Sequence, residues 1–136
     1  MIISFRFKNS RSFADETLID MRAVGYREHP SHLIRVNNRR LVKTLAVYGS
    51  NASGKTNLLL SLAGFHLYIY QQLFTIRSVF KNPVLSALHC VDAGRIVPFW
   101  SSETDEAPVD MELSFISQGH VYEYGFSLFH GAVLTE

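Results

Sequence analysis

The chain has 136 residues, enough for one ordinary domain and too few for two. Apolar residues make up 47% and charged residues 18%, which supports a buried core and excludes a disordered chain. The net charge of +1 conceals an uneven distribution: residues 1–55 carry ten Lys or Arg and four Asp or Glu, whereas residues 56–136 carry three and eight. We therefore expect any anion-binding surface in the first half.

Cysteine usage and the apolar runs bear on the compartment. One cysteine, Cys90, excludes an intrachain disulfide framework and favours a reducing environment. The N-terminal residues lack the charged segment and long apolar run of a signal peptide. The longest apolar stretch, residues 58–70, is interrupted by Ser61, Gly64 and His66 and is shorter than the roughly 20 residues that a membrane span needs. These features exclude a membrane protein and predict a cytoplasmic one.

Alternating apolar and polar residues over positions 1–7 predict a first strand, and positions 16–22 predict a second strand that pairs back as a hairpin. Residues 24–38 are polar and predict a loop with at most a short strand at 33–36. The apolar, β-branched run at 41–48 predicts a strand buried on both faces.

A helix is expected from Gly54 or Lys55 to about Phe74. This helix is apolar nearly all round, so we expect protein to cover it on several sides, with a C-terminal lobe of the same protein covering part of residues 65–73. We expect a short helix at 84–89, and strands at 109–116 and 121–128 joined by a turn containing Gly119. A further strand starts at 132–134, and we interpret the chain as the front part of a longer protein.

One motif carries recognisable chemistry. Residues 49–56 match G-x-x-x-x-G-K-[ST], the P-loop or Walker A pattern, between a predicted strand and a predicted helix. Its glycines allow the loop to wrap an anion closely, and the backbone N–H groups at the helix start attract phosphate. Lys55 is expected to reach the β- and γ-phosphates of ATP, and the Thr56 hydroxyl is expected to bind Mg²⁺. The residues of the motif are Gly49, Ser50, Asn51, Ala52, Ser53, Gly54, Lys55 and Thr56.

Residues 48–59, YGSNASGKTNLL, resemble the P-loop of ABC-type ATPase heads, and most closely that of the SMC, RecF and OLD-nuclease group of AAA-like ATPases. The opening segment, residues 3–13, is similar to the first strand and turn of that group, although Ser10 stands where the group usually has an aromatic residue. Residues 108–116 and 122–126 resemble the antiparallel strands of its N-terminal lobe.

This resemblance implies an α/β P-loop NTPase fold, in which a mixed sheet carries the P-loop helix beside an antiparallel β subdomain. Residues 1–136 would form the N-terminal lobe of an ATPase head, incomplete at its C-terminus. The resemblance also places the turn with Arg11 and Ser12 near the nucleotide and adds Asn57 to the site. The implied partners are the protein's own C-terminal lobe, a second ATPase head and DNA. ATP hydrolysis would occur between two heads, in DNA handling or phage defence by analogy.

Two alternative functions remain open from the sequence. A Walker B strand ending in Asp-Glu and an L-S-x-G signature are absent, and no glutamine can be assigned to the attacking water. We therefore identify no catalytic residue and expect little ATPase activity from this chain alone. The alternatives are a P-loop phosphotransferase or nucleotide switch, and a non-catalytic interaction module whose loop binds nothing.

Weaker features receive mostly structural interpretations. Lys8 belongs to the basic turn beside Arg11, with a weaker expectation of a role there. The basic run before the P-loop could bind nucleic-acid phosphate, although a solvated loop is the default interpretation. A metal site at His29 and His32 lacks a second pair of ligands. The aromatic residues of the last strands are interpreted as packing on a sheet face. The basic run consists of Arg35, Arg39, Arg40 and Lys43.

Overall fold

The computed structural model describes residues 1–25, 29–74, 96–99 and 107–136. The helix predicted at 84–89 lies outside the described residues. The elements, in chain order, are β1 (Ile2–Lys8), β2 (Thr17–Asp20), a 3-10 turn (Pro30–His32), β3 (Leu33–Val36), β4 (Arg39–Val42), α1 (Lys55–Phe74), β5 (Val109–Ser117), β6 (His120–Phe129) and β7 (Ala132–Thr135).

The larger sheet has five strands in the order β2-β1-β5-β6-β7. Each neighbouring pair is antiparallel, including the central pair β1–β5, whose register places Phe5 opposite Leu113. The strand pairs β1–β2 and β5–β6 confirm the two hairpins that the alternating sequence predicts. Gly119 occupies the turn of the second hairpin with a φ of 81°, a conformation that glycine adopts without strain.

The core lies between one face of this sheet and α1. Phe5 and Phe7 are almost completely buried, and the Phe5 ring contacts Phe65 of the helix edge-on, with ring centroids 5.4 Å apart. Phe65 also stacks on Phe126 of β6 at 5.2 Å. The interpretation of the β6 aromatic residues as sheet packing is confirmed for Phe126, whereas Tyr122 is 45% exposed and stacks on Phe115 of β5. The remaining buried members of the cluster are Leu58, Val109, Met111 and Leu128.

The helix bounds predicted from the sequence are confirmed, because α1 runs from Lys55 to Phe74. Phe65 is only 1% exposed, because the chain's own sheet covers it. No further lobe is needed to bury this position of the helix. Leu59, on another side of the helix, is 62% exposed. The all-round apolar pattern therefore does not mean that every side of this helix is covered.

A smaller two-stranded sheet, β3–β4, packs against the start of β1. Leu41 is fully buried in a second cluster with Ile3 and Ile116. Asn37 and Asn38 form the connecting turn, both with positive φ, as the tight turns that match strand twist require. The short strand expected at 33–36 is confirmed as β3.

The predicted fold class, an α/β P-loop NTPase with a mixed sheet, is wrong. All strand pairs among the described residues are antiparallel, and a single α-helix packs on the larger sheet. The mixed sheet depended on a strand at 41–48 with parallel neighbours. In the structure β4 ends at Val42, and residues 43–50 are exposed without strand pairing; Tyr48 is 89% exposed.

Local hydrogen bonding explains why the strand stops at Val42. One edge of β4 pairs with β3, and on the other edge Ala23 N–H donates to Arg40 O and Val42 N–H donates to Met21 O. Beyond Val42, no strand of the described residues lies beside the chain. The apolar run continues to residue 48 and predicts a strand buried on both faces. Among the described residues, no strand lies beside residues 43–48 to bury them.

Candidate phosphate-binding site

The loop at residues 49–54 ends on the first turn of α1. Leu58 N–H donates to Gly54 O at 2.9 Å, and this is the hydrogen bond with which the helix begins. The N–H groups of Lys55, Thr56 and Asn57 come before that bond, and such groups lie at the positive end of the helix dipole. The first turn contains no acidic side chain to satisfy that end. The start of α1 is therefore suited to an external anion.

Lys55 folds back across the loop. Its Nζ donates to Gly49 O at 2.9 Å, to Ser50 O, and more weakly to Ser53 Oγ at 3.3 Å. The ammonium group is thus held at the mouth of the loop by carbonyl oxygens rather than by a carboxylate. Because charge-assisted hydrogen bonds to phosphate are stronger than those to neutral carbonyls, a phosphate group can compete for this ammonium.

The backbone of the loop is curved by left-handed residues. Ala52 has a φ of 63° and Gly54 a φ of 88°, and Ser53 N–H donates to Ser50 O at 3.3 Å to close a turn. For Ala52 this conformation is uncommon and costs free energy, and such strain concentrates at ligand-binding sites. Positive φ values within a turn also direct backbone N–H groups towards one point, the arrangement that binds anions.

The β1–β2 turn packs on the loop. Asn57 Nδ2 donates to Ser12 Oγ at 3.0 Å. A methyl group added to Gly54 would lie 2.9 Å from the same Ser12 oxygen, so this approach requires glycine as well as the positive φ. Arg11 belongs to the same turn, is partly buried, and donates its backbone N–H to Val97 O at 2.8 Å. The structure therefore joins Ser12 directly to the motif and holds Arg11 through its backbone.

Two residues that the sequence interpretation missed connect this turn to the helix. The Ser10 and Ser61 hydroxyls are buried and lie 3.0 Å apart, and Ser61 Oγ donates to Asn57 O at 2.9 Å. In the sequence, Ser10 differs from the resembling group, which usually has an aromatic residue at this position. A small hydroxyl residue allows the turn to approach α1 closely, and isolated serines give no periodic signal that could predict it.

The loop and α1 bring no acidic side chain of their own to the site, because residues 43–74 contain two lysines and no Asp or Glu. Within the described residues, no group of three or more His, Cys, Asp or Glu could hold a metal ion. A magnesium ion at this loop would thus depend on the exposed Thr56 hydroxyl together with phosphate oxygens. That donor set fits Mg²⁺, which commonly takes one or two protein ligands and completes its shell with phosphate and water.

His29 and His32 lie at the 3-10 turn, with ring centroids 5.5 Å apart and ring planes tilted by 40° to each other. Among the described helices, none is long and apolar enough to cross a membrane.

A scan against models of protein families and searches of curated proteins and of solved structures found no match to this chain.

Proposed function

We propose that the chain binds ATP·Mg²⁺ and that residues 49–57 contact the phosphate groups of the nucleotide. The observation that carries this proposal is the position of Lys55, whose Nζ lies over the loop carbonyls directly in front of a helix start that has no acidic residue. The strained Ala52 backbone and the close approach of Gly54 to Ser12 support it. The proposal depends on the loop and the helix start, and does not need a parallel sheet.

Each residue of the site has a distinct role in the proposal. The backbone N–H groups of the loop and of Lys55 and Thr56 bind phosphate oxygens, and the Lys55 ammonium neutralises their charge. The Thr56 hydroxyl is one oxygen ligand for Mg²⁺. Asn57 and Ser12 hold the β1–β2 turn, and with it Arg11, against the loop. When bound, ATP supplies a transferable γ-phosphoryl group.

Hydrolysis belongs to a larger assembly in this proposal. Phosphoryl transfer depends on positioning and charge stabilisation, and the sequence offers no Walker B carboxylate and no residue for the attacking water. The family resemblance suggests that a C-terminal lobe and a second head supply them, in a cytoplasmic ATPase engaged in DNA handling or phage defence. We accordingly expect phosphate release by the purified chain to stay well below about 1 s⁻¹, the lower end of typical kinase turnover.

Calorimetric titration with ATP and Mg²⁺ tests the binding step. Lys55→Ala should weaken binding about tenfold to a hundredfold, because each charge-assisted hydrogen bond to phosphate contributes about 1.5–3 kcal/mol. Lys43→Ala is the matched control, since Lys43 Nζ instead contacts Ser31 O beside the β3–β4 sheet. This control should bind ATP as the unchanged chain does.

Two results would reject the assignment. Equal ATP affinity in the unchanged chain and in Lys55→Ala would mean that the loop is not the site. No heat of binding at millimolar ATP would favour the interaction module, in which the loop binds nothing. Fast transfer of phosphate to a small acceptor would instead select the phosphotransferase alternative.

A further inference from the structure

The turn between β1 and β2 contains a buried carboxamide. Asn9 follows the last residue of β1 and is 1% exposed. Its Nδ2 donates to Ala107 O at 2.8 Å and to Pro108 O at 3.2 Å, immediately before β5 begins at Val109. The side chain therefore ties the turn to a segment 98 residues away in the sequence.

The conformation and the burial of Asn9 both cost free energy. Its φ of 53° lies in the left-handed region, which residues other than glycine adopt uncommonly, although asparagine tolerates it better than most. Its Oδ1 is buried, and no donor among the described residues bonds to it. A buried acceptor without a partner destabilises the folded state. Unfavourable features of this kind concentrate at functional sites.

A second segment holds the backbone of the same turn. Phe99 N–H donates to Asn9 O at 3.2 Å, and Arg11 N–H donates to Val97 O at 2.8 Å. Together with the carboxamide, these hydrogen bonds attach the turn to two segments that are distant in the sequence. The position of the turn is therefore set from outside the β1–β2 hairpin.

The next residues of the turn contact the helix that follows the phosphate-binding loop. Ser10 Oγ lies 3.0 Å from Ser61 Oγ, and Ser12 Oγ accepts a hydrogen bond from Asn57 Nδ2 at 3.0 Å. Because Ser10 and Ser12 closely follow Asn9 in the chain, a displacement of Asn9 would move both contacts. The carboxamide thus connects the start of β5, through the turn, to the candidate ATP site.

We propose that Asn9 is a positioning residue for the ATP site. Its carboxamide fixes the β1–β2 turn against residues 107–108 and thereby holds Arg11 and Ser12 beside the phosphate-binding loop. Asparagine suits this position because it tolerates the left-handed backbone and offers two N–H donors to two carbonyl oxygens. Glycine would supply only the backbone conformation, and aspartate would lack the donors. This inference rests on the proposed binding of ATP.

Calorimetric titration of Asn9→Gly with ATP and Mg²⁺ tests the role of the carboxamide. Glycine adopts a positive φ without strain, so this variant removes the side chain and leaves the backbone conformation accessible. ATP binding should weaken about threefold to tenfold, the effect of losing one ordinary hydrogen bond that holds the turn. Asn38→Gly is the matched control and should bind ATP as the unchanged chain does. Asn38 is also left-handed, with a φ of 61°, but is exposed in the β3–β4 turn.

Amide hydrogen exchange followed by NMR gives a readout that a purely structural role would not change. Coupling between two sites is reciprocal. Saturating ATP·Mg²⁺ should therefore slow exchange of Phe99 N–H, which is bonded to Asn9 O, by about the factor by which Asn9→Gly weakens ATP binding. This slowing should disappear in Asn9→Gly, whereas general stabilisation by bound ATP would slow exchange in both proteins.

The possible failures are distinguishable. If the unchanged chain does not bind ATP, the proposed function is rejected and this inference with it. If the unchanged chain and Asn9→Gly bind ATP equally, or if Asn38→Gly loses as much affinity, the inference alone is rejected. Exchange at Phe99 N–H that ATP leaves unchanged in the unsubstituted chain also rejects it, and this measurement applies even where Asn9→Gly does not fold.

Discussion

Lys55 and Phe65 lie on the same helix, and different forces hold them. Phe65 is 1% exposed and packs between Phe5 and Phe126, so its position follows from the removal of apolar surface from water. Lys55 is partly exposed, and a few polar contacts to the loop fix its ammonium group.

The contrast between Phe65 and Lys55 indicates that different residues of the chain determine its stability and its ligand affinity. The core can lose little volume without cost, because interiors are close-packed. The loop can lose Lys55 at little cost in stability, because its hydrogen bonds are accessible to water. Substitutions in the core should therefore change the free energy of unfolding, and substitutions of the loop side chains should change ligand affinity.

The largest expected effect is in the core. Phe65→Ala should reduce the free energy of unfolding by about 3–5 kcal/mol, because it removes a buried ring and leaves a cavity between α1 and the sheet. Leu59→Ala is the matched control on the same helix, and at 62% exposure it should change stability by less than about 0.5 kcal/mol. Urea denaturation followed by circular dichroism measures both. Similar losses in the two variants would mean that protein covers Leu59 as it covers Phe65.

The alternating residues of β1 show how much of this core was predictable. Ile3, Phe5 and Phe7 recur at every second position, and that period predicts both the strand and its buried face. The same pattern predicts the β5–β6 hairpin, and the glycine-lysine step predicts the start of α1. Such features depend on neighbouring residues, so one sequence suffices to identify them.

The strand predicted at residues 41–48 is wrong beyond Val42, because pairing there depends on residues distant in the sequence. An apolar run indicates that a segment can be buried, but its period does not identify the strands that would lie beside it. Only the long-range structure shows that β4 pairs with β3 and with residues 21–23, and that Leu45 and Val47 are exposed. The contact between Ser10 and Ser61 likewise joins residues 51 positions apart. Of the candidate site, the motif was therefore predictable, and its connection to the core was not.

Gly54 is the loop position at which the backbone conformation requires glycine. Gly54→Ala should reduce stability by about 1–3 kcal/mol, because alanine is strained at a φ of 88°. The added methyl group would also press on Ser12, and ATP affinity should fall with it. Gly131→Ala is the control, since Gly131 has a φ of 79° and no atom within 4 Å of an added methyl group.

The comparison of these two glycine variants isolates the contact with Ser12. A loss at Gly54 that exceeds the loss at Gly131 gives the cost of closing the turn on the loop. If Gly54→Ala and Gly131→Ala lose the same stability and ATP affinity is unchanged, the β1–β2 turn has no part in the site. Thermal unfolding and calorimetric titration of the same preparations supply the two readouts.

The smallest effect is expected where core and loop meet. Ser61→Ala removes the hydroxyl that bridges Ser10 Oγ and Asn57 O, and leaves the buried Ser10 hydroxyl without this partner. The cost should be about 1–2 kcal/mol, because two hydrogen bonds are lost, and Ser31→Ala is an exposed control that should cost almost nothing. ATP affinity should fall slightly as well, because Asn57 is the residue that contacts Ser12. A loss of stability with no change in ATP affinity would show that the serine pair belongs to the core alone.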